Sequence, residues 1–79
     1  MEIEIRLFAI LRDYLPPGTE GFTFRKRLDK PATVKDIMEE LKLPQDVQMM
    51  VIVKGNHVSD DYVLQDGDQV SIFPPIAGG

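Results

Sequence analysis

The two residues that close the sequence, Gly78 and Gly79, could do chemistry only through their backbone, because glycine has no side chain. Glycine also loses more conformational freedom on ordering than any other residue, so a terminal pair adds nothing to a hydrophobic core. A Gly-Gly end therefore indicates either an ordinary frayed terminus or a terminal carboxyl group that itself reacts. The side chains elsewhere in the sequence help to decide between the two.

Side chains that could act as catalysts or metal ligands are few. His57 is the only histidine and the chain has no cysteine, so a Cys–His pair or a cysteine-containing zinc site is excluded. We interpret His57 as an exposed strand residue. Asp66 and Asp68 flank a glycine and could offer oxygen atoms to calcium, but they lack the ligand spacing of an EF-hand loop, and a tight turn is the simpler interpretation. We expect no catalytic residue, no bound cofactor and no metal site, and hence no enzyme activity of this chain alone.

Charge and hydropathy limit the partners further. The net charge is −4, which argues against broad binding to nucleic acid or to an anionic membrane. The basic run at residues 25–27, with Lys30, is predicted to be a solvated strand that could contact a partner protein. No stretch resembles a leader peptide or approaches bilayer length, and the absence of cysteine fits a reducing compartment, so we expect a soluble, cytoplasmic protein.

Alternating apolar residues predict strands along the chain. Residues 3, 5 and 7 are apolar and alternate with charged residues, which is typical of a strand with one buried face. The same rhythm returns at residues 21–28, where Phe22 and Phe24 are predicted to share one face. The run MMVIV at residues 49–53 predicts a strand that is apolar on both faces, followed by a two-residue turn at Gly55 and Asn56 and a hairpin strand. A turn at QDGD precedes the last strand, QVSIF, at residues 69–73.

Two segments have helical spacing. Ile10, Leu11, Tyr14 and Leu15 predict a short helix that Pro16 stops. The main helix is predicted after Thr33, with Asp36 three residues later as a variant of the capping box. Its apolar stripe comprises Val34, Ile37, Met38 and Leu41.

This order of elements predicts one α+β domain. A chain of 79 residues has room for a single core. Strands at both ends around one main helix favour a β-grasp, or ubiquitin-like, fold: a mixed sheet of about five strands packed on that helix, with a short helix after strand one. The first and last strands should pair in parallel at its centre. We assign residues 1–73 to this domain and residues 74–79 to a flexible, functional C-terminal tail.

The end of the chain resembles a known family. The segment LQDGDQVSIFPPIAGG resembles the end of the small subunit of molybdopterin synthase, within the MoaD/ThiS-like family of ubiquitin-like sulfur carriers. Its Asp-Gly-Asp turn, its strand ending in phenylalanine, its Pro-Pro pair and its terminal Gly-Gly all match. The segment IRLFAILRDYL resembles the first strand and short helix of that family. The resemblance covers most of the chain and is most specific over the last fourteen residues, 66–79.

The resemblance implies a function for the tail. In the family, an E1-like enzyme uses ATP to adenylate the terminal carboxyl group, here that of Gly79, and a sulfurtransferase then converts it to a thiocarboxylate. A larger synthase subunit receives the tail and makes molybdopterin, in a heterotetramer. The residues implied to give the tail access to partner active sites are Pro74, Pro75, Ile76, Ala77 and Gly78.

A partner-binding patch is predicted on the sheet face away from the main helix. If the alternating residues of the first and last strands are buried, Phe8 and Phe73 fall on the opposite face. Met50 and Ile52 should join them, or Val51 and Val53 if the register of the third strand differs. The alternative is that the short helix at residues 9–15 covers this surface.

Other functions remain open at this point. The sulfur could go to the thiamine thiazole, to a tRNA base or to a tungsten cofactor made through the same pterin. A ubiquitin-like modifier conjugated to lysine amines would need the same Gly-Gly and the same activation. A binding adaptor with an incidental tail is the third class.

Overall fold

The computed structural model describes residues 1–44 and 48–75. Residues 76–79, for which a function was predicted, lie outside the described residues. In chain order the elements are β1 (Glu2–Leu7), a 3₁₀ helix (Ala9–Tyr14), β2 (Thr23–Arg27), α1 (Val34–Glu40), β3 (Met50–Val53), β4 (Asn56–Val58) and β5 (Gln69–Phe73). No helix within the described ranges is long and apolar enough to cross a bilayer.

The five strands form one mixed sheet in the order β2-β1-β5-β3-β4. β1 and β5 are parallel neighbours at its centre, with Ile5 opposite Val70 and Leu7 opposite Ile72. The remaining pairs are antiparallel, including β3 with β5. This arrangement confirms the predicted β-grasp fold, because parallel pairing of the first and last strands requires the long connection that contains α1.

The core lies between one face of the sheet and α1. The alternating residues of the central strands are buried together with the apolar stripe of the helix; they are Ile3, Ile5, Leu7, Val51, Val53, Val70 and Ile72 from the sheet and Val34, Ile37 and Met38 from α1. α1 begins at the predicted capping box. The Asp36 backbone N–H donates to Thr33 Oγ1 at 3.2 Å, and the Thr33 N–H donates to Asp36 Oδ2 at 2.9 Å. Two backbone donors that the first turn would leave unpaired are thus satisfied.

The segment after β1 is helical as predicted, and only some of its apolar side chains are buried. Leu11 is buried and Tyr14 packs against the core, whereas Ile10 is 74% exposed. A 3₁₀ helix has three residues per turn, so Leu11 and Tyr14 lie one above the other and Ile10 lies on a different side. Ile10 therefore lies outside the buried side of this helix.

The hairpin turn lies one residue earlier than predicted. Val53 pairs with Asn56, so the two turn residues are Lys54 and Gly55. Both have positive φ values, 54° and 78°, as a type I′ turn requires. The sequence pointed to Gly55 and Asn56 because both residue types commonly adopt positive φ, whereas lysine, which occupies the first turn position here, seldom does. Asn56 belongs to β4, and its side-chain amide donates to the Lys54 carbonyl at 3.4 Å.

The Asp-Gly-Asp turn joins the start of β5 to β1. Asp68 is 1% exposed, and its Oδ2 accepts from the Gln65 backbone N–H at 2.8 Å. Asp66 Oδ1 accepts from the Glu2 N–H at 2.8 Å, and the Gly67 N–H donates to the Glu2 carbonyl at 2.8 Å. The carboxylates therefore organise a turn, in agreement with the sequence interpretation.

Candidate docking site

Two aromatic rings mark the sheet face that α1 leaves uncovered, which we call the open face. Phe8 follows β1 and Phe73 ends β5; their rings stack with centroids 4.3 Å apart and planes 9° from parallel. The Phe8 backbone N–H donates to the Ile72 carbonyl at 3.2 Å, which carries the parallel pairing one residue beyond β1. Since Leu7 and Ile72 point into the core, strand alternation places Phe8 and Phe73 on the open face.

The register of β3 places Met50 and Ile52 on the same face. Met50 pairs with Phe73, and Ile52 pairs with Ser71. Met50 is 45% exposed and Ile52 is half-buried, whereas Val51 and Val53 are buried. Of the two registers that the sequence left open, the structure adopts the first. We call Phe8, Met50, Ile52 and Phe73 the docking patch.

Phe22 extends the docking patch and was missed by the sequence analysis. Its ring centroid is 5.1 Å from that of Phe8, with the two planes tilted by 42°. β2 begins only at Thr23, so the alternation that was expected to place Phe22 beside Phe24 does not reach it. Phe24 packs against the core, while Phe22 is 40% exposed. Gly21, which has a φ of 75°, precedes Phe22 and was the signal that the strand starts later.

The short helix turns most of its large apolar side chains to the core, Ile10 excepted. Leu11 is part of the core cluster, and Tyr14 and Leu15 pack against that cluster. These three side chains therefore pack on the core and do not cover Phe8 and Phe73. The structure thus favours an open docking patch over a surface closed by residues 9–15.

A cation lies beside the docking patch. Arg6 precedes Phe8 by two residues and is opposite Ser71 across the sheet, so it shares the open face with Ile52. Its Nε atom is buried and has no hydrogen-bond partner within the described part of the chain. Farther from the tail the open face is polar, where Gln69 Nε2 donates to Glu4 Oε2 at 2.5 Å. The open face therefore has an apolar end and a polar end, with Arg6 between them.

The tail leaves from the apolar end. Phe73 is followed directly by Pro74, which is half-buried, and by Pro75, which is exposed. A proline fixes its own φ and disfavours helical backbone before it, so both residues continue the direction of β5. The predicted roles of Ile76, Ala77, Gly78 and Gly79 concern residues outside the described ones. The docking patch and the base of the tail are contiguous.

The other candidate side chains do not assemble a reactive site. His57 is exposed on β4, opposite Ile52, as the sequence predicted. Within residues 1–44 and 48–75, no three His, Cys, Asp or Glu side chains are grouped to hold a metal ion. Within the described residues, the main candidate for a functional feature is therefore the docking patch beside Pro74 and Pro75.

Comparison with known proteins gives consistent similarities. The model of the ThiS family matches residues 5–79. Small archaeal modifier protein 3 from Haloferax volcanii is 30% identical over an alignment of 96 positions that covers all of both chains. The crystal structure of SAMP1 from H. volcanii superposes with a TM-score of 0.72, at 27% identity and full coverage of both chains. A putative molybdopterin converting factor subunit 1 from Pyrococcus furiosus has a TM-score of 0.71 at 28% identity, covering 95% of this chain and 98% of that one.

Proposed function

Because the chain belongs to the ThiS family of small ubiquitin-like carrier and modifier proteins, we propose that it is a sulfur carrier for molybdopterin synthesis. The observation that carries this proposal is the contiguity of the docking patch with the base of a tail that ends in Gly-Gly. Phe73 belongs to the patch, and the tail follows it directly. A partner that binds the open face thus receives the terminal carboxyl group from a defined starting point.

The chemistry begins at the carboxylate of Gly79. A terminal carboxylate has a reference pKa of about 3.5, so at neutral pH it is ionised and is a poor electrophile. An E1-like enzyme would activate it: a carboxylate oxygen attacks the α-phosphate of ATP, pyrophosphate leaves, and an acyl-adenylate forms. The persulfide sulfur of a sulfurtransferase would then attack the acyl carbon and displace AMP, and a second thiol would reduce the resulting acyl disulfide, releasing the thiocarboxylate and leaving a disulfide. ATP is bound by the activating partner, and this chain holds no cofactor of its own.

The residue types of the tail suit this reaction. An adenylating site must close around the reacting carbon, and a Cβ on either of the last two residues would crowd that path, which accounts for Gly78 and Gly79. Pro74 and Pro75 favour an extended course away from the domain. At roughly 3.3 Å per residue, the segment 74–79 reaches at most about 20 Å, enough to enter the active site of a bound partner.

The chain requires a catalytic partner to make molybdopterin. The proposed carrier supplies no nucleophile, base or metal for the acceptor reaction, so a larger synthase subunit would bind the pterin precursor and provide the catalytic groups. We propose the heterotetramer of the family, in which two large subunits dimerise and each binds one carrier. Because the same docking patch would contact this subunit and the E1-like enzyme, the two complexes would exclude each other.

A second candidate is supported by a relative. The protein that is 30% identical over the full chain is named a small archaeal modifier protein. A modifier would use the same adenylate, but a lysine amine would attack it and form an isopeptide bond. Other sulfur acceptors, the thiamine thiazole and tRNA, remain alternatives within the carrier function.

Intact mass measurement of the chain purified from its native cells separates these functions. A carrier shows a fraction of the protein shifted by one exchange of oxygen for sulfur, and the shift disappears when Gly79 is deleted. Conjugates to other proteins, without any thiocarboxylate, would instead establish the modifier. An unmodified terminus in cells that are actively making molybdopterin would refute the proposal.

A further inference from the structure

β2 is an outer strand of the sheet, and one of its sides has no partner within the described chain. Leu28, just after β2, pairs with Met1: the Leu28 N–H donates to the Met1 carbonyl at 2.7 Å, and the Met1 amino group donates to the Leu28 carbonyl at 3.0 Å. Backbone groups of successive strand residues point to opposite sides. The N–H and C=O groups of Thr23, Arg25 and Arg27 therefore point away from β1, toward solvent.

The outer side of β2 is also strongly basic. Arg25 and Arg27 lie opposite Glu4 and Glu2 on the open face, and both arginines are exposed. Arg25 Nη1 is 3.8 Å from Glu2 Oε1, a long pair between exposed groups that leaves the guanidinium free to bind elsewhere. Lys30 follows in the next loop and is exposed. This concentration of positive charge stands out in a chain of net charge −4.

A groove continues from the outer side of β2 toward α1. Its volume is about 480 Å³, and it lies between the end of β2, the loop that follows and the helix. Its lining is mixed: Leu28, Pro31 and Ala32 supply apolar surface, and the charged side chains are three cations and three carboxylates, Glu40 among the latter. Lys26 Nζ is bound to Glu40 Oε1 at 2.5 Å, which holds this lysine against the helix. The groove can accept an aliphatic side chain that enters from the outer edge.

β1 shows which kind of strand fits β2. Its residues 2–5 read Glu-Ile-Glu-Ile, and the two glutamates face Arg27 and Arg25 while the two isoleucines face the core. We propose that the outer side of β2 binds an extended segment of a partner protein in which acidic and aliphatic residues alternate. Its acidic residues would face Arg25 and Arg27 on the open face. Its aliphatic residues would face the groove between β2 and α1.

The charge of β2 argues against other occupants. A second copy that paired β2 with β2 would place like charges opposite each other, which destabilises a sheet. A nucleic acid would meet a chain whose net charge repels phosphate. An acidic strand gains charge complementarity on one face and apolar burial on the other.

Titration of the ¹⁵N-labelled full-length protein with a short peptide of alternating Glu and Ile tests the proposal by NMR. We expect the largest shifts, and increased protection from hydrogen exchange, at the amides of Thr23, Arg25 and Arg27. The double variant Arg25→Glu/Arg27→Glu should weaken binding by about tenfold or more, because it opposes like charges. The control Lys35→Glu makes the same kind of charge reversal at one exposed site on α1, and it should change the affinity for the peptide by less than about twofold.

The variant Thr23→Pro separates strand pairing from simple charge attraction. Proline is tolerated at the start of an edge strand, leaves every charge in place and removes one outward N–H. We expect about a fivefold loss of affinity, corresponding to one hydrogen bond of about 1 kcal/mol. The proposal is overturned if the peptide shifts only the docking patch, if an alternating Lys and Ile peptide or a single-stranded oligonucleotide binds equally well, or if no binding occurs. Thermal unfolding of each variant checks that it is folded.

Discussion

Among single residues, Phe73 connects several features of the candidate site: it packs on Phe8, pairs with Met50 and directly precedes the tail. Strand alternation alone predicted its face, because the core residues Val70 and Ile72 fix the parity of β5. The same reasoning failed for Phe22, where the strand had not yet begun. Alternation is informative only inside an element whose limits are known.

Phe73→Asp should weaken binding to both the E1-like enzyme and the synthase large subunit. A buried aromatic anchor at an interface is typically worth about 2 kcal/mol or more, so we expect a loss of about 30-fold in each affinity. The fold should lose only the stacking on Phe8, about 1 kcal/mol. Calorimetric titration measures the affinities.

The matched control is Val63→Asp, which places the same charge at another exposed apolar residue outside the docking patch. Its affinities should remain near those of the unchanged protein. Equal losses in the two variants, or none in Phe73→Asp, would remove the docking patch from the account.

Gly78→Val should abolish adenylation without unfolding the domain. The added side chain crowds the path of the carboxyl group into the adenylating site, and valine is excluded from many glycine conformations. A terminal tail contributes little packing, so the thermal transition should stay nearly constant. Release of pyrophosphate from ATP, in the presence of the E1-like enzyme, measures the reaction; a normal rate would contradict the role of the glycine pair.

At the level of elements, the turns decide how the strands meet. The capping box at Thr33 and Asp36 could be predicted from the sequence, because its two residues lie within the first turn of the helix that they begin. The turn at Lys54 and Gly55 was predicted one residue too late. Its type depends on a positive φ at both turn residues, and Gly55 with Asn56 is a more common pair for such a turn than Lys54 with Gly55. The burial of Asp68 was not predictable from the turn motif, because burial depends on how the rest of the chain packs around the turn. The Tyr62 hydroxyl lies 3.4 Å from Asp68 Oδ2, and Lys54 Nζ lies 3.4 Å from Asp68 Oδ1.

Asp68→Ala should destabilise the fold more than Asp66→Ala. Asp68 is buried and accepts from the Gln65 N–H, which would be left unpaired at a cost of about 1 to 3 kcal/mol. Asp66 is exposed, and water can replace its bond to the Glu2 N–H, so about 1 kcal/mol or less is expected. Urea unfolding gives both values. The reverse order would show that the turn is held in some other way.

For the whole molecule, we propose that recognition and reaction are separate: one sheet face carries the docking patch, and the reactive group would lie on the tail beyond it. The alternation of β1 and β5, the capped helix and the order of elements were enough to predict this β-grasp architecture. The partner proteins could not be predicted from physical reasoning on the sequence, because binding also depends on the surfaces of those proteins, which this sequence does not encode. Net charge is the one global property that bears on them.

Raising the salt concentration should slow association with the synthase large subunit more than it speeds dissociation. The pterin precursor carries a phosphate, so we expect a basic receiving pocket, and a chain of charge −4 would be attracted to it over long range. At physiological ionic strength this attraction is screened beyond about 8 Å. Stopped-flow measurement across a salt series gives both rate constants, and a salt-independent association rate would exclude electrostatic steering.

Transfer of sulfur in a reconstituted system tests the central claim most directly. The thiocarboxylated chain is mixed with the molybdopterin synthase large subunit of its own organism and the pterin precursor, and the product and the mass of the chain are followed together. The account predicts that molybdopterin forms and that Gly79 returns to a plain carboxylate. If no molybdopterin forms, while the same preparation supports thiazole synthesis or tRNA thiolation, the assignment to molybdopterin is contradicted.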